Sequence, residues 1–228
     1  MKILMKSMYQ RQRLVMIEIV KILHKKLSLF RIFIRNSIAP SLRSFPLKEL
    51  IKLSKLLKVT PNEIKNSFEK AIQAYHKFKE NLLRTGKETL EKIAKEPKII
   101  LVGRPYLFST IETNLGLPRK LSSRGFHVIP ADMLPFIERK TNSRNLWYFT
   151  QYFNNALAYS DKYPNIYICM LSCFNCMPDD ILYHKVRSEM AGRIFCYLEI
   201  DAHTAHAGFD TRIGAFLDII QGAIPIII

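Results

Sequence analysis

From residue 98 onward the chain alternates short apolar runs with longer helical patterns. Residues 98–102 form the first run, ended by Gly103, and residues 126–129 the second. Residues 165–171, rich in Ile and Tyr, form the third, and residues 194–200 the fourth. Between and after them, residues 115–124, 145–159, 179–191 and 211–220 read as helices. Gly125 and Gly192 close the first and third of these, and Asp210 or Thr211 caps the last. Strands separated by helices at this spacing pair in parallel through right-handed crossovers. The apolar tail from Ile224 to Ile228 reads as a fifth strand or as the stub of a longer reading frame.

Upstream the pattern is helical. Residues 1–46 read as a basic, apolar, mostly helical extension, and residues 47–97 as a helical hairpin. Thr60 has the signature of an N-cap, with Pro61 at the first helical position and Glu63 three residues after the cap. Ile64, Phe68, Ile72, Tyr75, Phe78 and Leu82 then line one stripe. Gly86 is expected to interrupt this helix, which resumes at Leu90 and Ile93. The predicted class is therefore α/β, an N-terminal helical region followed by a Rossmann-like parallel sheet flanked by helices over residues 98–228.

Charge follows the same division. Residues 1–97 hold 22 Lys/Arg against 8 Asp/Glu, a balance of +14, whereas residues 98–228 are nearly neutral. The basic part reads as a nucleic-acid or anionic-lipid surface, or as the solvated faces of lysine-rich helices. Aromatic residues are not interleaved with the basic ones, so nucleic acid is not expected as a partner. No segment reaches the roughly 18 apolar residues that span a bilayer. Residues 27–38 come nearest and are broken by Arg31 and Arg35, giving an interfacial helix or one that packs on a partner. No secretory h-region or cleavage site is visible. The 4 cysteines accordingly read as reduced thiols or metal ligands in a cytoplasmic protein.

In an open parallel sheet, ligands sit beyond the carboxyl ends of the strands. Gly103, Arg104, Pro105 and Tyr106 follow the first predicted strand, and Pro130, Ala131 and Asp132 the second. Ser172, Cys173, Phe174, Asn175, Cys176 and Met177 follow the third, leading to Asp179; Asp201, His203, Thr204 and His206 follow the fourth. Cys169, Cys173 and Cys176 have C-x3-C-x2-C spacing, but Cys169 falls inside a strand. Cys169 and Cys196 are therefore expected in the core. Cys173 is ambiguous. Cys176 is the best ligand candidate, because a helix N-terminus there favours a thiolate. His203 and His206 read as metal ligands or acid–base groups, or as loop hydrogen-bonding groups. Arg104 reads as a carboxylate or phosphate receptor, or as a salt-bridge partner of Asp132 or Glu112. Asp179 reads as the cap of the helix that follows it. Neither G-x-G-x-x-G nor G-x-x-x-x-G-K-[ST] occurs, so no nucleotide site is visible.

Three stretches carry a family resemblance. They are Leu101 to Tyr106 with Asn114 to Pro118, Ser172 to Asp180, and Glu199 to Arg212. Together they resemble the acyl-CoA dehydratase activase-related proteins, in the region similar to subunits of 2-hydroxyacyl-CoA dehydratases, over roughly residues 47–220. The resemblance implies a [4Fe–4S] iron–sulfur cluster ligated in part by Cys176; Cys173 is the second candidate metal ligand, as a substitute for one that the family supplies from elsewhere. Gly103, Arg104, Pro105, Tyr106, Asp179, His203 and Thr204 are expected to shape the cofactor pocket. The resemblance also implies an acyl-CoA substrate, and a protein partner or missing domains that supply an ATPase and further cysteines. Around Cys176 the sequence departs from the family: Asn175 and Met177 replace the usual glycines, and Asp180 a serine. The expected unit is thus an iron–sulfur or electron-transfer domain that is not active alone. The alternative is a non-catalytic basic interaction module, or a decayed remnant without a cluster.

Overall fold

The structure, a computed structural model, describes residues 47–137, 148–174 and 176–223. The extension over residues 1–46, the first residues of the helix expected from 145, and the tail strand lie outside the described residues. The chain divides into two compact units, Met1–Leu82 and Leu83–Ile228.

In the first unit, α1 (Leu47–Lys52) and α2 (Ser54–Leu57) precede α3 (Pro61–Lys92), which continues into the second unit. Lys58, at φ 56°, ends α2. The expected capping box is formed. The Thr60 backbone N–H donates to Glu63 Oε2 at 2.8 Å, and the Glu63 N–H donates to Thr60 Oγ1 at 3.2 Å. The Thr60 N–H, with the Thr60 hydroxyl that donates to the same carboxylate oxygen at 2.8 Å, holds the Glu63 carboxyl below its ordinary range.

The expected break at Gly86 is absent, and α3 runs through it. A Cβ on Gly86 would lie 1.8 Å from the carbonyl oxygen of Met133, in the 3-10 turn Ala131–Met133. Gly86 is there for close approach, at the cost of its weak helix propensity. The free carbonyls beyond the end of α3 find donors. Lys98 Nζ reaches the Ala94 carbonyl at 3.1 Å, and Asn165 Nδ2 reaches those of Ala94 and Glu96 at 2.8 and 3.0 Å. Lys98 is only 2% exposed. Burial pulls its ammonium below the ordinary lysine range, with Glu96 opposing.

The second unit contains four strands: β1 (Lys98–Gly103), β2 (His127–Pro130), β3 (Ile166–Cys173) and β4 (Phe195–Ile200). Their order is β2-β1-β3-β4, and every pairing is parallel. The helices here are α4 (Pro105–Ser109), α5 (Ile111–Asn114), α6 (Leu117–Ser122), α7 (Tyr148–Lys162), α8 (Met177–Glu189) and α9 (His206–Ala223). This is the α/β class the sequence predicts. Ile99, Leu101, Cys169 and Leu171 share one apolar cluster with Leu117, Leu121, Phe209 and Ile213. Strand alternation sends Ile100, Val102, Ile168 and Met170, also buried, to the opposite face, where α7 packs on β1 and β3. The central strands are covered on both faces, so they read as continuous apolar runs.

Three helix starts differ from expectation, α8 beginning at Met177 rather than 179. The helix over 115–124 is shorter, because Leu115 and Gly116 are left-handed at φ 50° and 72°. Its start shifts to Leu117, and α4 and α5 fill the connection from β1. The last helix begins at His206, before Asp210, because a tight turn from Asp201 to Thr204 closes the loop early.

Gly86→Ala separates helix propensity from packing. Propensity alone predicts stabilisation of about 1 kcal/mol. The Met133 carbonyl makes the expected result destabilisation by about 1–3 kcal/mol in urea unfolding. A more stable variant would contradict the close approach.

Candidate functional site

The chain leaves β1 for β2 on one side, then returns past β1 to β3 and β4 on the other. The carboxyl ends of β1 and β3 therefore flank the topological switch point, where such sheets bind ligands. Gly103 ends β1 there. A Cβ on it would sit 2.5 Å from the Leu171 carbonyl oxygen, so only glycine lets β1 lie this close to β3. Arg104 follows in extended conformation as the N-cap of α4, with Pro105 at the first helical position.

Opposite, β3 ends at Cys173. The Phe174 N–H donates to the Ile200 carbonyl at 3.0 Å, tying this loop to the end of β4. The Cys176 N–H donates to the Cys173 carbonyl at 3.2 Å. Cys176 is the N-cap of α8. Asp179, expected as the cap, instead points its carboxylate at Arg104. Arg104 Nε lies 3.3 Å from each carboxylate oxygen and Nη2 lies 3.1 Å from Oδ1. Nη2 also lies 3.6 Å from Cys176 Sγ. The Ser172 hydroxyl is 3.4 Å from Asp179 Oδ2 and 3.2 Å from the Cys173 carbonyl oxygen. One forked guanidinium thus joins the exit of β1 to the first turn of α8. Removing one member of such a buried pair costs about 3–5 kcal/mol.

Burial lowers the pKa of Arg104, but the hydrogen bonds and charge of Asp179 outweigh it and leave the pKa raised. Burial pushes the Cys176 thiol up, and the Asp179 charge adds to this. The Asp179 backbone N–H and Arg104 pull the other way and lose. The helix N-terminus therefore does not leave Cys176 a ready thiolate. Burial likewise raises the Tyr106 phenol, with Arg104 opposing and the charges of Cys173, Asp179 and Cys176 adding. Gly103, Arg104, Tyr106, Cys173, Cys176 and Asp179 are thus brought to one place. Phe174 and Met177 flank the thiols with 61% and 69% exposure.

The loop after β4 opens on the same sheet edge and is tied by bonds within itself. The Asp201 N–H donates to Thr204 Oγ1 at 2.8 Å, the Thr204 hydroxyl to Asp201 Oδ1 at 2.7 Å, and the His203 N–H to Asp201 Oδ1 at 2.9 Å. The Thr204 hydroxyl bond, with the His203 N–H, holds the Asp201 carboxyl low. His203 and His206 are exposed. Among the described residues, no group of three or more His, Cys, Asp or Glu is placed to hold a metal ion. Cys169 and Cys196 sit opposite each other in register, both buried. The hydrogen bond between their thiols, with burial, pushes Cys169 well up. A groove of about 600 Å³ runs along β4 and α9, lined in part by Arg193, Cys196 and Arg212 and apart from the Arg104–Asp179 pair.

Sequence reasoning placed Ser172 on this edge without a role and missed Tyr197. Ser172 is fully buried and braces Asp179. Tyr197 stacks on Tyr183 with ring centroids 4.1 Å apart and bonds Glu199 Oε1 at 3.3 Å. Alternation along β4, with Cys196 and Leu198 buried, is the signal that sets Tyr197 and Glu199 on the other face.

Residues 7–134, more than half of the chain, match the model of the CoA enzyme activase uncharacterised domain. The chain belongs to this family. No curated protein and no solved structure matches it. The activase match confirms the resemblance and carries it upstream into the basic N-terminal segment. It ends at Leu134, so Gly103 to Tyr106 lie inside it, while Cys173, Cys176 and Asp179 lie beyond. No helix among the described residues of this activase relative is long and apolar enough to cross a membrane.

Burial, with Glu199 beside it, pushes the Tyr197 phenol up to about 12 from 10.0. The unfolded chain therefore ionises first, and stability present below pH 10 falls as pH rises through 12. Tyr197→Phe is expected to make this alkaline loss shallower in chemical denaturation measured across that range. Equal pH slopes for the two proteins would contradict the shift.

Proposed function

We propose that this chain is a non-autonomous component of the system that activates an acyl-CoA dehydratase, working in the cytoplasm beside a partner that supplies the ATPase. Its part is to present Cys176, with Cys173 as the second thiol, as a share of the ligands of a [4Fe–4S] cluster. The observation that carries this reading is the meeting of Arg104, from the family-matched segment, with Asp179 and Cys176 at the sheet's switch point.

A whole cluster does not fit this chain by itself. Cubane clusters take four cysteine thiolates, and the switch point offers two thiols. A share of a cluster fits better, because both thiols are half-buried on a loop flanked by exposed apolar side chains. When bound, the cluster would supply one-electron transfer. The chain's own residues would do the rest. Arg104 would neutralise charge at the sulfur beside it. Asp179 and Ser172 would hold Arg104 in place. The substrate of the system would be an acyl-CoA thioester, with the thioester chemistry left to the partner.

A second reading has its own support. The balance of +14 over residues 1–97, and the closure of Arg104 on an internal carboxylate, suit a non-catalytic module that docks on an acidic protein.

Anaerobic reconstitution of the full chain with ferrous iron, sulfide and a small thiol that completes the ligand set separates the two. Retained iron and sulfide, with visible absorption, are expected for the wild type. Cys176→Ser should lose most of both. Iron retained regardless of Cys176, or retained by neither protein, would overturn the cluster share in favour of the docking module.

A further inference from the structure

Cys173 and Cys176 stand in C-x-x-C spacing between a strand end and a helix start. The Cys176 N–H donates to the Cys173 carbonyl at 3.2 Å. A bond between residues three apart holds their Cα atoms within about 7 Å. Disulfides need a Cα separation of about 4.4–6.8 Å. Both thiols are free and half-buried, unlike Cys169 and Cys196, which are buried. Arg104 Nη2, oriented by Asp179, lies 3.6 Å from Cys176 Sγ.

We propose that Cys173 and Cys176 form a reversible dithiol–disulfide pair that exchanges with small disulfides at the open edge of the sheet. The Cys173 thiolate attacks one sulfur of a disulfide RSSR, and the first RS⁻ leaves and takes a proton as RSH. Cys176 then attacks the Cys173 sulfur of the mixed disulfide, and the second RS⁻ leaves. Two electrons and the two thiol protons pass from the pair to two RSH, and one S–S bond replaces another. In the reverse direction a small thiol attacks Cys173, and Cys176 leaves as thiolate beside the Arg104 guanidinium. A sulfur locked in the disulfide cannot ligate metal, so oxidation of the pair withdraws both sulfurs from any cluster. The exchange needs only the two thiols and stands whether or not the cluster share does.

The test uses the full chain with a chelator present, so that iron plays no part. The protein is equilibrated across ratios of oxidised to reduced glutathione, quenched in acid, alkylated and mapped by mass spectrometry. The wild type is expected to pass from four alkylated thiols to two across a single midpoint, with the linkage mapping to Cys173 and Cys176. Cys173→Ser and Cys176→Ser should instead keep their remaining edge thiol free or in a mixed disulfide with glutathione, with no internal linkage. Full alkylation at every ratio would overturn the proposal, and so would linkage of Cys169 to Cys196 or loss of two thiols in either serine variant. Iron bound on reconstitution while the thiols stay reduced here would sink the exchange and spare the cluster share. The opposite pair of results would do the reverse.

Discussion

The geometry of the sheet edge depends on one ion pair. Arg104 leaves β1 and Asp179 enters α8, and their side chains meet with 22% and 8% exposure. At that depth each charge needs the other, because a lone buried charge is far costlier than the pair is favourable. The pair forms only because β1 and β3 lie close enough at their ends, and the bare backbone of Gly103 against the Leu171 carbonyl permits that. Cys176, Tyr106 and Ser172 are all placed by the same junction. The raised pKa of Cys176 and of Tyr106 follows from its burial and charge.

The junction also explains how a family match that ends at Leu134 relates to chemistry beyond it. The matched segment supplies β1, the Gly103 approach and Arg104. The carboxylate, both edge thiols and the helix start come from the later part of the chain. Neither part has the site by itself. The activase family supplies the context, and the two thiols at the edge supply the chemistry proposed for this member of it.

Much of the fold was legible because it rests on local rules. Apolar runs separated by helices announced a parallel sheet, and Thr60 with Glu63 announced a capped helix. The misreadings have two causes, partners distant along the chain and local backbone geometry. Gly86 breaks a helix by propensity, but its role is set by Met133, far downstream. The left-handed Leu115 and the Asp201–Thr204 turn move helix starts by geometry that composition does not display. At the site, the strand ends placed Arg104, Cys176 and Asp179 on one edge, but not in their final pairing. Sequence offered Arg104 other carboxylates and gave Asp179 a capping role. It also weighed the helix terminus at Cys176 without the burial and the nearby carboxylate that oppose it.

The central claim is that Arg104 and Asp179 act as one unit holding the edge together. A double-mutant cycle with Arg104→Gln and Asp179→Asn, read by denaturant unfolding, measures it directly. Coupling of about 1–3 kcal/mol is expected, the double variant being less destabilised than the singles summed. Additivity to within about 0.5 kcal/mol would show that the two side chains stabilise the fold independently, and the junction would lose its place in this account.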